Sequence, residues 1–93
     1  MTFSELRAMI DARLEGDPRL AGSRCEVSGE ACTWSLNAES VSLSSSGSTG
    51  ILVDYWSSDR IVHSRIFAAS RLTVDRIANT AAEHLTAYAL HRM

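Results

Sequence analysis

Gly50-Ile51-Leu52-Val53-Asp54-Tyr55-Trp56-Ser57-Ser58-Asp59-Arg60-Ile61-Val62-His63-Ser64-Arg65-Ile66-Phe67-Ala68 is the stretch whose reading decides the fold. Ile51 to Trp56 and Arg60 to Ala68 are dense in β-branched and aromatic residues, which suit a pleated, half-buried surface. Ser57-Ser58-Asp59 between them has turn chemistry. The stretch therefore predicts two antiparallel strands joined by a tight turn, and as the strongest strands of the chain they are expected at the centre of the sheet.

Upstream, apolar residues alternate with polar ones from Arg24 onward: Cys25 and Val27, then Cys32, Trp34 and Leu36, then Val41 and Leu43. A period of two is the mark of a strand with one buried face. Gly29-Glu30 and Asn37-Ala38-Glu39 fall at the breaks, so successive strands are expected to form hairpins. Ser44 to Gly50 offers no apolar side chain to bury and reads as an exposed loop. A phosphate cradle would need a lysine or a helix start after it, and neither follows.

Both ends of the chain are helical in pattern. Thr2 and Glu5 match the Ser/Thr-x-x-Glu capping box. Phe3, Leu6, Ile10 and Leu14 follow at spacings of three and four, leaving Glu5, Arg7, Asp11, Arg13 and Glu15 to solvent, and Gly16 and Pro18 end the helix. The last helix is expected to start at Thr73 with Asp75 in its first turn, where negative charge suits the helix dipole. Val74, Ile77, Ala78, Ala81, Leu85 and Tyr88 share one side of it, and His91 and Arg92 close its last turn. The predicted architecture is α+β: an N-terminal helix, about five antiparallel strands in meander order, and a C-terminal helix, with both helices on one sheet face. Residues 1–93 form a single domain in this reading, with neither repeat nor linker.

Composition narrows the function. The chain has 93 residues, 45% hydrophobic and 22% charged, which is ordinary globular material. Nine basic and eleven acidic residues give a formal net charge of −2 and are mixed along the chain. Phosphate binding draws on a concentrated basic face, so nucleic acid is not an expected partner. No basic amphipathic helix is present, so a membrane surface is not expected either. The first residues lack a positive segment followed by an apolar stretch, so the expected location is the cytoplasm.

With a two-residue turn at Gly29-Glu30, Val27 stands opposite Cys32 and Cys25 opposite Trp34. The cysteines then share a face diagonally, a poor disulfide geometry, and are expected as reduced core residues. No cofactor is expected, and His84 and His91, seven apart on the last helix, lack the carboxylates or cysteines that would complete a metal site and are expected to face solvent.

With Ser58-Asp59 as the turn, Tyr55 pairs with Val62, Val53 with Ser64 and Ile51 with Ile66 on the core side. The other face then carries Trp56 beside Ile61, Asp54 beside His63, and Leu52 beside Arg65. These six residues, Leu52, Asp54, Trp56, Ile61, His63 and Arg65, form the candidate partner-binding site, apolar ground around charged groups. A slip of one residue would exchange the faces and put Trp56 in the core. Asp54 opposite His63 has the look of half a hydrolytic arrangement. Without a serine on a strained turn, the pair reads as a surface ion pair and the domain as non-enzymatic.

Gly50 to Asp59, the strand Ile61 to Phe67 and the helix from Thr73 together resemble small bacterial immunity proteins, in particular the group that neutralises ADP-ribosyltransferase toxins. The likeness spans about Ser40 to Leu85 and consists of a glycine, a strand ending in tryptophan, a polar turn, a second strand and an acidic-capped helix. It implies a protein that occludes the active surface of a cognate toxin. Two other readings compete: an adaptor or secretion-chaperone-like module acting as a homodimer, and a small ligand-binding domain or enzyme, which predicts a closed apolar pocket with convergent polar groups.

Overall fold

The computed structural model describes residues 2–29, 31–47 and 50–92, with side chains described as far as residue 87. The chain order is α1 (Phe3–Glu15), a single 3-10 turn at Pro18–Leu20, then strands β1 (Arg24–Ser28), β2 (Ala31–Leu36), β3 (Glu39–Ser46), β4 (Gly50–Ser57) and β5 (Arg60–Ala68), and finally α2 (Arg71–Arg92). The five strands form one antiparallel sheet in the order of the sequence. This is the α+β meander that the periodicities predict.

Local chemistry sets the helix ends. The Glu5 N–H donates to Thr2 Oγ1 at 3.2 Å, the expected cap, and Leu6, Ile10 and Leu14 are buried below it. Asp11, expected in solvent, is partly buried and accepts a 2.8 Å hydrogen bond from the Trp34 indole of β2, pinning α1 to the sheet. α2 starts two residues before Thr73. Ser70 Oγ accepts from the Leu72 N–H at 3.1 Å, while the Thr73 hydroxyl donates to the carbonyls of Ala68 and Ser70 and ties the helix start to the end of β5. Val74, Ile77, Ala78, Ala81 and Leu85 are buried as their spacing predicts, and Ala82 and Thr86 join them. The expectations for the side chains of Tyr88, His91 and Arg92 lie outside the described residues. Among the described residues, no helix is long and apolar enough to cross a membrane.

The sheet departs from expectation in three places. Ser44, Ser45 and Ser46 are not loop but the end of β3, paired with Leu52, Ile51 and Gly50. Gly50 fits there because a Cβ would lie 2.5 Å from the Ser46 carbonyl oxygen. Secondly, β5 is not central. It is an edge strand, bonded to β4 alone, and β3 takes the middle because a meander puts its last strand outermost. Thirdly, the β4–β5 register changes partway. The turn is Ser58-Asp59, with Ser57 opposite Arg60 and Trp56 opposite Ile61, and Ser58 adopts a φ of 58°. Tyr55 then lies opposite His63, so Val62 is an extra residue, a β-bulge.

From the bulge onward every pairing differs from the straight hairpin. Val53 meets Arg65 and Ile51 meets Phe67 on one face, while Asp54 meets Ser64 and Leu52 meets Ile66 on the other. The shift buries Phe67 at 7% exposure and leaves Ile66 at 70%. A phenyl ring removes more apolar surface from water than a sec-butyl group, which favours this register over its alternative.

One core lies between the sheet and the two helices. Cys32, Trp34, Val41, Leu43, Ile51, Val53, Tyr55 and Phe67 enter it from one sheet face, and Leu6, Ile10, Leu14, Val74, Ile77, Ala81 and Leu85 from the helices, with Leu20 of the 3-10 turn closing one end. The opposite face is covered by neither helix.

Candidate functional site

The six candidate residues divide between two faces. Leu52, Asp54, Trp56 and Ile61 stand on the uncovered side, where Ser64 and Ile66 join them by register. His63 and Arg65 do not. The bulge at Val62 turns both toward the helix side, so the expected pairs Asp54–His63 and Leu52–Arg65 do not form.

On the uncovered side, Leu52 and Trp56 are partly buried by their neighbours, whereas Ile61 is 48% and Ile66 70% exposed. The Trp56 indole N–H donates to Ser42 Oγ at 2.7 Å, which lays the ring over β3 and fixes its orientation. Asp54, freed from the expected histidine, accepts from the Ser64 hydroxyl at 2.6 Å. Ser40, Ser42 and Ser44 of β3 border the patch on one side, and the unpaired backbone edge of β5 borders it on the other. The result is a compact apolar ground with short hydroxyl side chains on one flank.

Behind the sheet, β5 projects beyond the cover of α2 and leaves an open groove of about 320 Å³, lined by Tyr55, His63, Arg65, Thr80, Glu83 and His84. The Tyr55 ring sits between two imidazoles, 5.6 Å from that of His63 and 5.4 Å, edge-on, from that of His84. Thr80 gives its single proton to helix carbonyls, so at 2.9 Å the Tyr55 hydroxyl is the donor to Thr80 Oγ1. The Arg65 guanidinium lies over the Phe67 ring, 5.2 Å from its centre, a cation–π contact. The groove is open rather than the closed apolar pocket that a small-molecule site would favour.

His84, expected on the solvent side of the last helix, is instead half-buried at the end of this groove. Its Nε2 lies 2.7 Å from the Trp56 carbonyl oxygen and 3.1 Å from Glu39 Oε2. Glu39, expected in a turn, is buried at 8% exposure and also accepts from the Ser57 hydroxyl at 3.0 Å. Ser57, Glu39 and His84 thus form a chain in which the carboxylate, not the imidazole, holds the serine. That order differs from a serine–histidine–carboxylate arrangement, in which the imidazole contacts the hydroxyl. A chain-length separation of 45 positions hides the Glu39–His84 pair from local sequence reading; the only signal was a histidine within the apolar stripe of α2.

The two cysteines also differ from each other. Register is as expected, Cys25 opposite Trp34 and Val27 opposite Cys32. Cys32 is buried, but Cys25 on the edge strand is exposed rather than in the core, and both are free thiols. Among the described residues, no three metal-binding side chains gather into a cluster.

This geometry defines the class as a small α+β domain with a sheet covered on one face and an apolar patch on the other. Comparison of the chain with protein-family models, with curated proteins and with solved structures finds no match.

Proposed function

We propose that this chain is a non-enzymatic protein-binding domain whose contact surface is the uncovered face of β4 and β5, centred on Trp56. The observation that carries the reading is the grouping of Leu52, Trp56, Ile61 and Ile66 on a sheet face that no helix covers. Contiguous apolar ground of this kind is a common mark of an interaction site. Tryptophan is over-represented among residues that dominate binding energy, and Trp56 is held in a single orientation by Ser42, so little side-chain freedom is lost on binding. Asp54 and Ser64 add directional polar contacts inside the patch.

The resemblance of about residues 40–85 to immunity proteins supports a cognate bacterial toxin as the partner, neutralised in the cytoplasm by covering its active surface. Trp56→Ala and Ile66→Ser variants, checked for fold by circular dichroism, are compared with wild type for binding to the product of the neighbouring gene. A loss of tenfold or more in affinity supports the surface, as truncating a central interface residue costs more than ~1.4 kcal/mol. Unchanged affinity with an intact fold rejects it. Co-expression tests the toxin reading separately, since a neighbouring gene product that does not kill in the absence of this chain removes that partner.

A homodimer is the second reading, and the edge of β5 favours it. Ile61, Val62 and Ile66 are all about half exposed or more on a strand with one unpaired side. Pairing with a second copy would cover them. Sedimentation equilibrium separates the two readings: a stable dimer supports this one, and a monomer at micromolar concentration supports the first.

A further inference from the structure

We propose that Cys25 and Cys32 are an oxidisable pair that closes into a reversible intrachain disulfide across the β1–β2 hairpin. Their sulfur atoms already touch, with Sγ to Sγ at 3.4 Å. The register offsets them diagonally, Cys25 being opposite Trp34 and Cys32 opposite Val27. Diagonal neighbours in an antiparallel pair are about 7–8 Å apart at Cα, beyond the ~4.4–6.8 Å that a disulfide usually spans, so closure needs the backbone to move. The two side chains nonetheless turn toward each other. Going from 3.4 Å to a covalent S–S length of about 2.05 Å asks for a movement of a little over ~1 Å.

Only one partner can supply that movement. Cys32 is 1% exposed on a strand bonded on both sides, and its neighbour Trp34 is tied to Asp11. Cys25 sits on a five-residue edge strand, exposed throughout and hydrogen-bonded to β2 alone. β1 yields while β2 holds. The bond so formed is strained, and strained disulfides are the readily reduced ones, so the link is reversible rather than structural.

Exposure also sets the order of events. The Cys25 thiol loses its proton to solvent, and its thiolate attacks a low-molecular-weight disulfide such as glutathione disulfide, forming a mixed disulfide and expelling one glutathione thiolate. Cys32 then loses its proton and attacks the Cys25 sulfur, expelling the second. Each leaving thiolate takes up a proton, so two protein thiols are oxidised and one small disulfide is reduced to two thiols. This site is independent of the protein-binding surface, which lies at the other end of the sheet.

The test is incubation of the full chain with glutathione disulfide, followed by thiol blocking under denaturing conditions and intact mass measurement. The expected product is a monomer lighter by two hydrogen atoms, with both thiols protected and both restored by millimolar reduced glutathione. In Cys32→Ala the same treatment stops at a persistent glutathione adduct on Cys25, and in Cys25→Ser the native chain does not react. A wild-type chain that accumulates the single adduct, forms intermolecular dimers or keeps both thiols free overturns the proposal.

Discussion

Glu39 and His84, one at the start of β3 and the other in the third turn from the end of the described part of α2, meet at 3.1 Å behind the sheet. The same imidazole nitrogen lies 2.7 Å from the carbonyl oxygen of Trp56. A carbonyl can only accept, so Nε2 carries a proton whichever charge state the ring has. One histidine thus ties α2 to the last residues of β4 and holds, from behind, the backbone that carries Trp56 to the uncovered face.

Removing that tie leaves a buried carboxylate with Ser57 as its remaining side-chain partner. His84→Ala is expected to destabilise the fold by about 1–3 kcal/mol, the usual penalty for orphaning buried polar groups. Urea denaturation reads it as a lower midpoint at unchanged slope. Glu39→Gln combined with His84→Ala should lose less than the sum of the two single changes, because the residues share one interaction. Additive losses would mean that they do not.

Asp11 makes a second tie of this type, between α1 and the Trp34 indole. Trp34 is 2% exposed, so Asp11→Ala leaves its N–H without an acceptor and should cost about 1–3 kcal/mol. Asp11→Asn keeps an acceptor oxygen and should recover most of that in thermal melts. Equal losses in both variants would show that the charge rather than the hydrogen bond matters.

The bulge at Val62 makes an unusual deletion harmless. With Val62 removed, Trp56 remains opposite Ile61 and Tyr55 opposite His63, now as consecutive pairs, and Phe67 stays in the core. Stability should change by less than about 1 kcal/mol, a surface-level effect. Deleting Ser64 as well as Val62 leaves no extra residue to absorb the loss, so Arg65 to Ala68 invert, Phe67 turns outward, and the double deletion should cost about 2–3 kcal/mol of lost apolar burial. Similar melting temperatures for the single and double deletions would contradict the register.

That bulge is also where sequence reading reached its limit. The strand alternation that predicts five strands, the Ser58-Asp59 turn and the outward direction of Leu52, Asp54, Trp56 and Ile61 are all local patterns, and they are found in the structure. Past the turn, the doubled apolar pairs Ile61-Val62 and Ile66-Phe67 fit either parity, so the strand's own pattern does not choose between a straight hairpin and a bulged one. The choice falls to Phe67, whose burial depends on helices packed from the far ends of the chain. The same distance concealed the Glu39–His84 pair and the placement of His63 and Arg65 in the groove. β3 likewise outlasts its apolar residues, because a serine can complete a backbone ladder that β4 has already templated.

The thiols give the domain a pH dependence with a definite sign. Burial pushes the Cys32 thiol up to about 12, with the neighbouring Cys25 sulfur adding to it, a smaller upward push from Asp11 and a downward one from Arg7. Cys25 is raised too, again chiefly by burial, with its hydrogen bond to Cys32 pulling the other way. An unfolded thiol ionises near ~8.5, so above that point the unfolded chain releases a proton that the folded chain keeps. Folded protein then binds more protons than unfolded, and stability falls as pH rises. The contribution from Cys32 is fully present below the ordinary thiol value and is lost progressively as pH climbs toward about 12. Measured under reducing conditions, the urea midpoint of the wild type should therefore decline more steeply from neutral to alkaline pH than that of Cys32→Ala. Alkylation in the native state should modify Cys25 first and accelerate with pH, because the thiolate is the reacting species. Parallel stability profiles for the two proteins would show that Cys32 keeps no such proton.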